Sequence, residues 1–167
     1  YIDGTPNIYL TGSFSGTIDV DFTGGAFNLT AEDVGNYTQF ILKLDNNGNL
    51  VWGKQIGSAT GDAYGYGIDV DGNSNVLTTG YFVGTVDADP NGGTQNISAT
   101  GGNFDTDIFV SKLDASGNYV WAIKAGSSAF VPESGKDIIT DEDDAVYVTG
   151  EFASTTDFNP GTGTTNL

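Results

Sequence analysis

The chain has 167 residues and a formal net charge of −17, from 5 Lys and Arg residues against 22 Asp and Glu residues. Such an acidic surface repels phosphate, so it argues against nucleic acids and anionic membrane surfaces as partners. The sequence has no Cys and no His, which excludes disulfides and argues against zinc and copper sites. Calcium, which takes oxygen ligands, is then the expected metal.

The predicted secondary structure consists of β-strands. In chain order, runs rich in β-branched and aromatic residues predict strands at 8–14, 40–45, 50–55, 67–71, 76–82, 108–114, 119–124 and 146–152. Clusters of Asp, Asn and Gly predict tight turns at 45–49, 71–75 and 114–118, because Asp and Asn side chains cap turns and Gly supplies positive φ. No segment has the apolar period of a helix.

The same strand pattern recurs along the chain. Its markers recur at offsets of 68 to 70 residues: a Thr-Gly pair at 11–12, 79–80 and 149–150, a Lys-Leu-Asp triplet at 43–45 and 112–114, and Trp at 52 and 121. Because several independent markers keep one spacing, the sequence indicates an internal repeat.

Four antiparallel strands in each repeat predict the blade of a β-propeller. The third strand, near 40–44, is apolar on both faces, as expected where neighbouring blades cover a sheet on both sides. The predicted fold is therefore all-β, with β-propeller-type repeats of four-stranded antiparallel blades, each about 69 residues long. About two and a half blades are expected in the chain.

The predicted blades divide the chain into three ranges. Residues 1–65 form a first blade whose first strand is only the remnant Tyr1-Ile2-Asp3, 66–135 form a complete second blade, and 136–167 form the first half of a third. Closed propellers have roughly 4–8 blades. The sequence is therefore expected to be a fragment of a longer repeat protein, or a unit whose copies assemble.

The repeat resembles the bacterial β-propeller repeat of secreted surface proteins, the seven-bladed β-propeller type. That repeat reads roughly D-I-F-V-x-K-L-D-x-x-G-N-x-V-W-A, then I-x-V-D-x-x-G-N-V-Y-x-T-G-x-F, then G-T-V-D-F-D-P-G. Residues 107–122 and 146–161 match it closely, and 67–89 match it fairly well. The resemblance implies secretion to the cell surface or the medium, often as part of a long multi-repeat protein.

Acidic and amide side chains in the turns are the candidate metal ligands. Turn 69–75 carries oxygen side chains at alternate positions, like the first half of a calcium loop, and the acidic run 141–144 occupies the same turn one repeat later. Loops between the second and third strands add a recurring Gly-Thr-x-Asp-x-Asp/Asn motif. The predicted calcium ligands are Asp69, Asp71, Asn73, Asn75, Asp141, Asp143, Asp19, Asp21, Asp87 and Asp89. The alternative for each is turn capping without an ion, and Asp157 and Asn159 continue the loop series.

No catalytic residues are predicted. A catalytic site should be unique rather than repeated in every blade, and the chain has no His or Cys to activate a nucleophile. The expected function is a non-enzymatic extracellular or cell-surface scaffold or adhesion repeat, as the unit of a surface assembly or filament. Its expected partners are further blades of the same chain or other copies of itself.

The alternative function is a carbohydrate-binding propeller that takes surface glycans. It predicts exposed aromatic rings clustered in the rim loops, such as Phe22, Phe27 and Phe104, whereas the scaffold hypothesis predicts that these rings are buried between blades. Trp52 and Trp121, at equivalent positions, are predicted to pack between blades. A third alternative is an enzyme whose active site lies in other blades.

Overall fold

The computed structural model describes residues 7–33, 35–161 and 163–167, and these residues form strands and turns without a helix. The strands are β1 (Ile8–Phe14), β2 (Thr17–Asp19), β3 (Asn28–Thr30), β4 (Thr38–Leu44), β5 (Leu50–Ile56), β6 (Gly61–Val70), β7 (Val76–Asp87), β8 (Asn96–Ser98), β9 (Thr106–Leu113), β10 (Tyr119–Ala125), β11 (Ser134–Thr140) and β12 (Val146–Glu151). A strand is present at each of the eight predicted places. The predicted remnant Tyr1-Ile2-Asp3 lies outside the described residues.

The strands form successive antiparallel sheets. The second sheet has the order β6-β7-β9-β10. Neighbouring strands of this sheet are consecutive in the chain, except that the short strand β8 lies between β7 and β9 in sequence and pairs with β7. The first sheet has the order β1-β4-β5, and the third contains β11 and β12 among the described residues. This confirms the predicted all-β fold with four-stranded antiparallel blades, while the blade ranges 1–65, 66–135 and 136–167 stay a prediction.

The insertions between second and third strands form short hairpins rather than irregular loops. β2 pairs with β3, and β8 pairs with the far end of β7. In the third repeat, the backbone N–H of Phe158 donates to the carbonyl of Thr165 at 2.9 Å. Sequence patterns did not predict these strands, because segments of three residues are too short to show an alternation.

The turns between long strands follow the predicted chemistry. In the turn after β4, Oδ1 of Asp45 accepts the backbone N–H groups of Asn47 at 2.8 Å and Asn49 at 2.9 Å. Gly48 has a φ of 83°, a left-handed conformation that costs glycine little. The equivalent position in the β6–β7 turn is Ser74, with a φ of 65°.

The main core lies between the first and second sheets. Tyr9, Ile41 and Ile56 from the first sheet join Phe82 and Phe109 from the second in one buried cluster. A second cluster covers the opposite face of the first sheet. A third joins Leu77 and Val110 of the second sheet to Ile138 of β11. The sheets are thus stacked face to face in the order of the repeats.

No helix long and apolar enough to span a membrane is found among the described residues.

Candidate functional site

Asp71, a predicted calcium ligand, holds the turn between β6 and β7. Its Oδ1 accepts the backbone N–H groups of Asn73 at 2.9 Å and Asn75 at 2.8 Å. Its Oδ2 accepts from Asn75 Nδ2 at 2.8 Å and lies 2.7 Å from Lys112 Nζ. Burial acts to raise the pKa of Asp71, but these donors together hold it below its ordinary value. Asp71 is thus a charged turn cap that also binds β9.

Asp69, also a predicted ligand, joins two sheets. It lies in β6 and is buried, and its Oδ2 accepts the backbone N–H of Thr140 at 2.6 Å and the Thr140 hydroxyl at 2.9 Å. Thr140 is the last residue of β11. The carboxylate therefore satisfies polar groups between the second and third sheets.

In the acidic run 141–144, Asp141 and Asp144 have different roles. Asp141 caps its own turn, since Oδ1 accepts the backbone N–H groups of Asp143 at 3.0 Å and Ala145 at 2.9 Å. The N–H of Ala145, followed by the Tyr147 hydroxyl at 2.9 Å from Oδ2, lowers the pKa of Asp141.

Asp144 reaches back to the previous repeat. Its Oδ1 accepts the backbone N–H of Gly72 at 3.0 Å, and its Oδ2 accepts from Asn73 Nδ2 at 2.6 Å. The β6–β7 turn and the β11–β12 turn are therefore hydrogen-bonded to each other. The side-chain amide nitrogen of Asn73, a predicted calcium ligand, is a donor in this contact.

The rim-loop acids cap the inserted hairpins in all three repeats. Oδ1 of Asp19, Asp87 and Asp157 each accepts one backbone N–H two residues on and another eight residues on, at 2.8–3.0 Å. Oδ1 of Asp21, Asp89 and Asn159 then accepts the backbone N–H two residues further on, at 2.8–2.9 Å. The recurrence of these acids thus has a structural cause in every repeat.

Metal binding is not needed to explain these positions. Among the described residues, no three or more Asp, Glu, His or Cys side chains are grouped so that they could hold a metal ion. The predicted ligands are distributed over separate turns and strands, and donors occupy the carboxylates of Asp19, Asp21, Asp69, Asp71, Asp87, Asp89 and Asp141. Calcium binding by these residues stays a prediction.

The rim hairpins also join adjacent repeats. The backbone N–H of Asp87, in the second repeat, donates to the carbonyl of Gly57, just after β5, at 3.1 Å. The same bond recurs one repeat later from Asp157 to Gly126, just after β10, at 3.3 Å. The hairpins of the second and third repeats are therefore each bonded to the end of the last strand of the preceding sheet.

Both tryptophans pack between sheets, as predicted. Trp52 is partly buried against the main core cluster, and its Nε1 donates to the carbonyl of Ala115 in the next sheet at 3.2 Å. Trp121 packs at the equivalent place against the cluster that includes Ile138.

The rim phenylalanines are exposed, so the prediction that they are buried between blades is wrong. Phe22 is 61% exposed, Phe27 42% and Phe104 88%. Phe22 and Phe104 lie in turns outside the strands, beyond the reach of the stacked sheet faces. Exposure of these rings agrees with the carbohydrate-binding alternative, whereas the clustering that it also predicts stays a prediction.

A cluster of four tyrosines was missed in the sequence. Tyr64 stacks on Tyr81 with ring centroids 4.5 Å apart, and Tyr37 and Tyr66 extend the cluster at 5.0 and 5.7 Å. Burial is the main cause that raises the pKa of Tyr81. The strand predicted at 67–71 left Tyr64 and Tyr66 outside it, whereas β6 begins at Gly61 and its register places Tyr64 opposite Tyr81.

Three buried carboxylic acids were also missed. Asp105, Asp107 and Glu133 are each at most 1% exposed. Lys124 Nζ lies 2.9 Å from Asp107 Oδ2, and Glu133 accepts from the Ser127 backbone and the Thr156 hydroxyl. Burial, together with the charges of Asp107 and Glu133, raises the pKa of Asp105.

Comparison with known proteins supports a β-propeller repeat family. A family model described as a beta-propeller repeat matches residues 51–81. An uncharacterized WD repeat-containing protein of Acanthamoeba polyphaga mimivirus is 27% identical over 161 residues, which cover 90% of this chain. The chain spans about 11% of the length of that relative. Together with the sheet order, these matches indicate an interaction or scaffold module.

Proposed function

We propose that the chain is a non-enzymatic scaffold module of an extracellular or cell-surface repeat protein, and that it adds to further blades or to other copies of itself. The observation that carries the proposal is the pattern of bonds between repeats. The same hairpin-to-strand bond, Asp87 to Gly57 and Asp157 to Gly126, joins each sheet to the next. A module built this way extends by adding another sheet with the same contacts.

The exposed surface supports a role in association. Strand β12 carries Tyr147 at 54% exposure and Val148 at 37%, on a two-stranded sheet among the described residues. Such an edge is a template for pairing with another chain. Repetition of one contact by successive copies produces a ring if it closes and a filament if it does not.

Light scattering tests the assembly part of the proposal. The mass of the purified chain is measured over a range of concentrations, with calcium and after chelation, and a melting curve is recorded for each sample. We expect ordered assemblies that grow with concentration. Calcium stabilisation predicts that they loosen and melt earlier after chelation. A stable monomer at every concentration would contradict the assembly proposal, and an unchanged melting curve would contradict the calcium prediction.

Carbohydrate binding is the second candidate function, favoured by the exposed rings of Phe22 and Phe104. Aromatic faces pack on the apolar faces of sugars. We expect a binding glycan, found by array screening, to lose affinity in Phe22→Ala or Phe104→Ala while the melting temperature is unchanged. Phe130→Ala, at a ring that is 63% exposed outside those two loops, is the matched control. Absence of any glycan signal would contradict this candidate.

A further inference from the structure

We infer that β12 and the groove beside it form a docking site for one added β-strand, whose sequence follows the third strand of this chain's own repeat. This inference rests on the proposed scaffold function and names the site and the partner. The partner is an extended segment with a Phe three residues before a Lys, as in β4 and β9. It adds antiparallel to β12.

The equivalent strand of the second sheet shows what the site holds. In that sheet β9 lies along β7, with Thr79 opposite Val110 and Gly80 opposite Phe109. Thr78 and Phe82 of β7 are both 0% exposed. One repeat later, Val148 is 37% exposed and Phe152 is 43% exposed. The same strand position is therefore buried where the third strand is paired and open on β12.

An apolar groove of about 380 Å³ lies beside β12. It is lined by Ile108, Val110 and Ile123 of the second sheet, by Val148 of β12, and by Phe152 and Phe158. Between the first and second sheets, Phe109 and Leu113 of β9 belong to the corresponding buried cluster. The groove thus continues an interface that the molecule already forms once.

A glycine in the second strand provides a place for the aromatic ring. A Cβ added at Gly12 would lie 2.7 Å from Cζ of Phe40, and one added at Gly80 would lie 3.1 Å from Cε1 of Phe109. The ring of the third strand therefore lies over this glycine in both sheets. Gly150 holds the same position in β12, where the atoms nearest to such a Cβ belong to Ser134 and Gly135 of β11. Aromatic side chains stabilise edge glycines in this way.

Charge adds to the fit. Lys112 of β9 forms an ion pair with Asp71, the cap of the preceding turn, at 2.7 Å. Asp141 is the corresponding cap of the third sheet, and its Oδ2 accepts from the Tyr147 hydroxyl. In the register of β9, the lysine of an added strand lies opposite Tyr147 and beside Asp141. The site therefore selects an aromatic ring and a cation at a fixed spacing.

Peptide binding tests the inference on the full chain. The probe is a fluorescently labelled peptide of residues 106–125, which carries the third and fourth strands of the repeat, and its anisotropy is measured against the 167-residue chain. We expect saturable binding that weakens by at least about tenfold when the peptide carries Phe109→Ala or Lys112→Glu. In the chain, Val148→Asp should weaken binding by a similar factor. Ile139→Asp, at an exposed residue of β11 outside the groove, is the matched control and should bind like the wild type.

Disulfide formation tests the register. Because the chain has no cysteine, a single Thr149→Cys substitution can report contact with a peptide that carries one cysteine. Opposed residues of antiparallel strands have Cα atoms about 4.5–5.5 Å apart, within disulfide range. We expect rapid cross-linking to the Val110→Cys peptide and little to the Ser111→Cys peptide, whose thiol points to the other face.

The outcomes separate this inference from the scaffold proposal. A folded chain that binds no peptide, or binds it equally after Val148→Asp and without register preference, would overturn the docking site. If that chain still assembles in light scattering, the scaffold proposal stands. Peptide docking at β12 by a chain that remains monomeric would support the site and contradict assembly from copies of this chain.

Discussion

Asp69 and Thr140 are joined by two hydrogen bonds, 2.6 and 2.9 Å long, across the boundary between the second and third sheets. Both donors belong to Thr140, and the acceptor is one buried carboxylate oxygen. An acid that the sequence suggested as a metal ligand is thus a connection between repeats. Its removal would leave two donors without their partner.

Asp69→Ala should destabilise the protein, by about 1–3 kcal/mol for the donors left unsatisfied. The measurement is the free energy of unfolding from urea denaturation. Glu142→Ala is the matched control, because it removes the same charge from an exposed position of a neighbouring turn. Equal stability of the two variants would contradict a structural role for Asp69.

The pair Phe82 and Phe152 tests the difference between the second and third sheets. Phe82→Ala should cost about 3–5 kcal/mol, since its ring is fully buried. Phe152→Ala at the equivalent position should cost less than about 2 kcal/mol, because that ring is already 43% exposed. Unfolding free energies of the two variants provide the comparison. A larger loss for Phe152→Ala would contradict the described burial.

Much of the fold follows from sequence, whereas the roles of single acids do not. Alternating runs and recurring Thr-Gly pairs predicted the long strands, because strand period and turn residues are local properties. Asp69 and Asp105 are different. The role of Asp69 depends on Thr140 of another sheet. The raised pKa of Asp105 depends on burial and on the charges of Asp107 and Glu133, and no local pattern encodes either arrangement. The exposure of Phe104 was equally hidden, since a ring in a loop carries no periodicity that fixes its burial.

Asp105→Asn should increase stability at neutral pH. The raised pKa of Asp105 means that the folded state binds its proton more tightly than the unfolded state, whose pKa is about 3.9. Proton binding by Asp105 therefore favours the folded state below the unfolded pKa. This contribution to stability is lost as the pH rises through the folded pKa. The advantage of the Asn variant should shrink as the pH is lowered toward 4.

Denaturation of Asp105→Asn and wild type at a series of pH values measures this difference. Asp114→Asn is a suitable control, because the backbone N–H and the side-chain amide of Asn118 both lower the pKa of Asp114. That variant should lose stability at neutral pH instead. A stability of Asp105→Asn that falls below wild type at neutral pH would contradict a buried charge at this position.

The most direct test of an open third sheet is amide hydrogen exchange, resolved by residue, on the full chain in dilute solution. We predict that residues 76–83 of β7, which pair with β6 on one side and with β9 on the other, are protected. Alternate amides of β12, those not bonded to β11, should exchange rapidly and become protected when the peptide of residues 106–125 is added. Full protection of β12 without any partner, or no change on adding the peptide, would contradict the claim that β12 is an edge open to another strand.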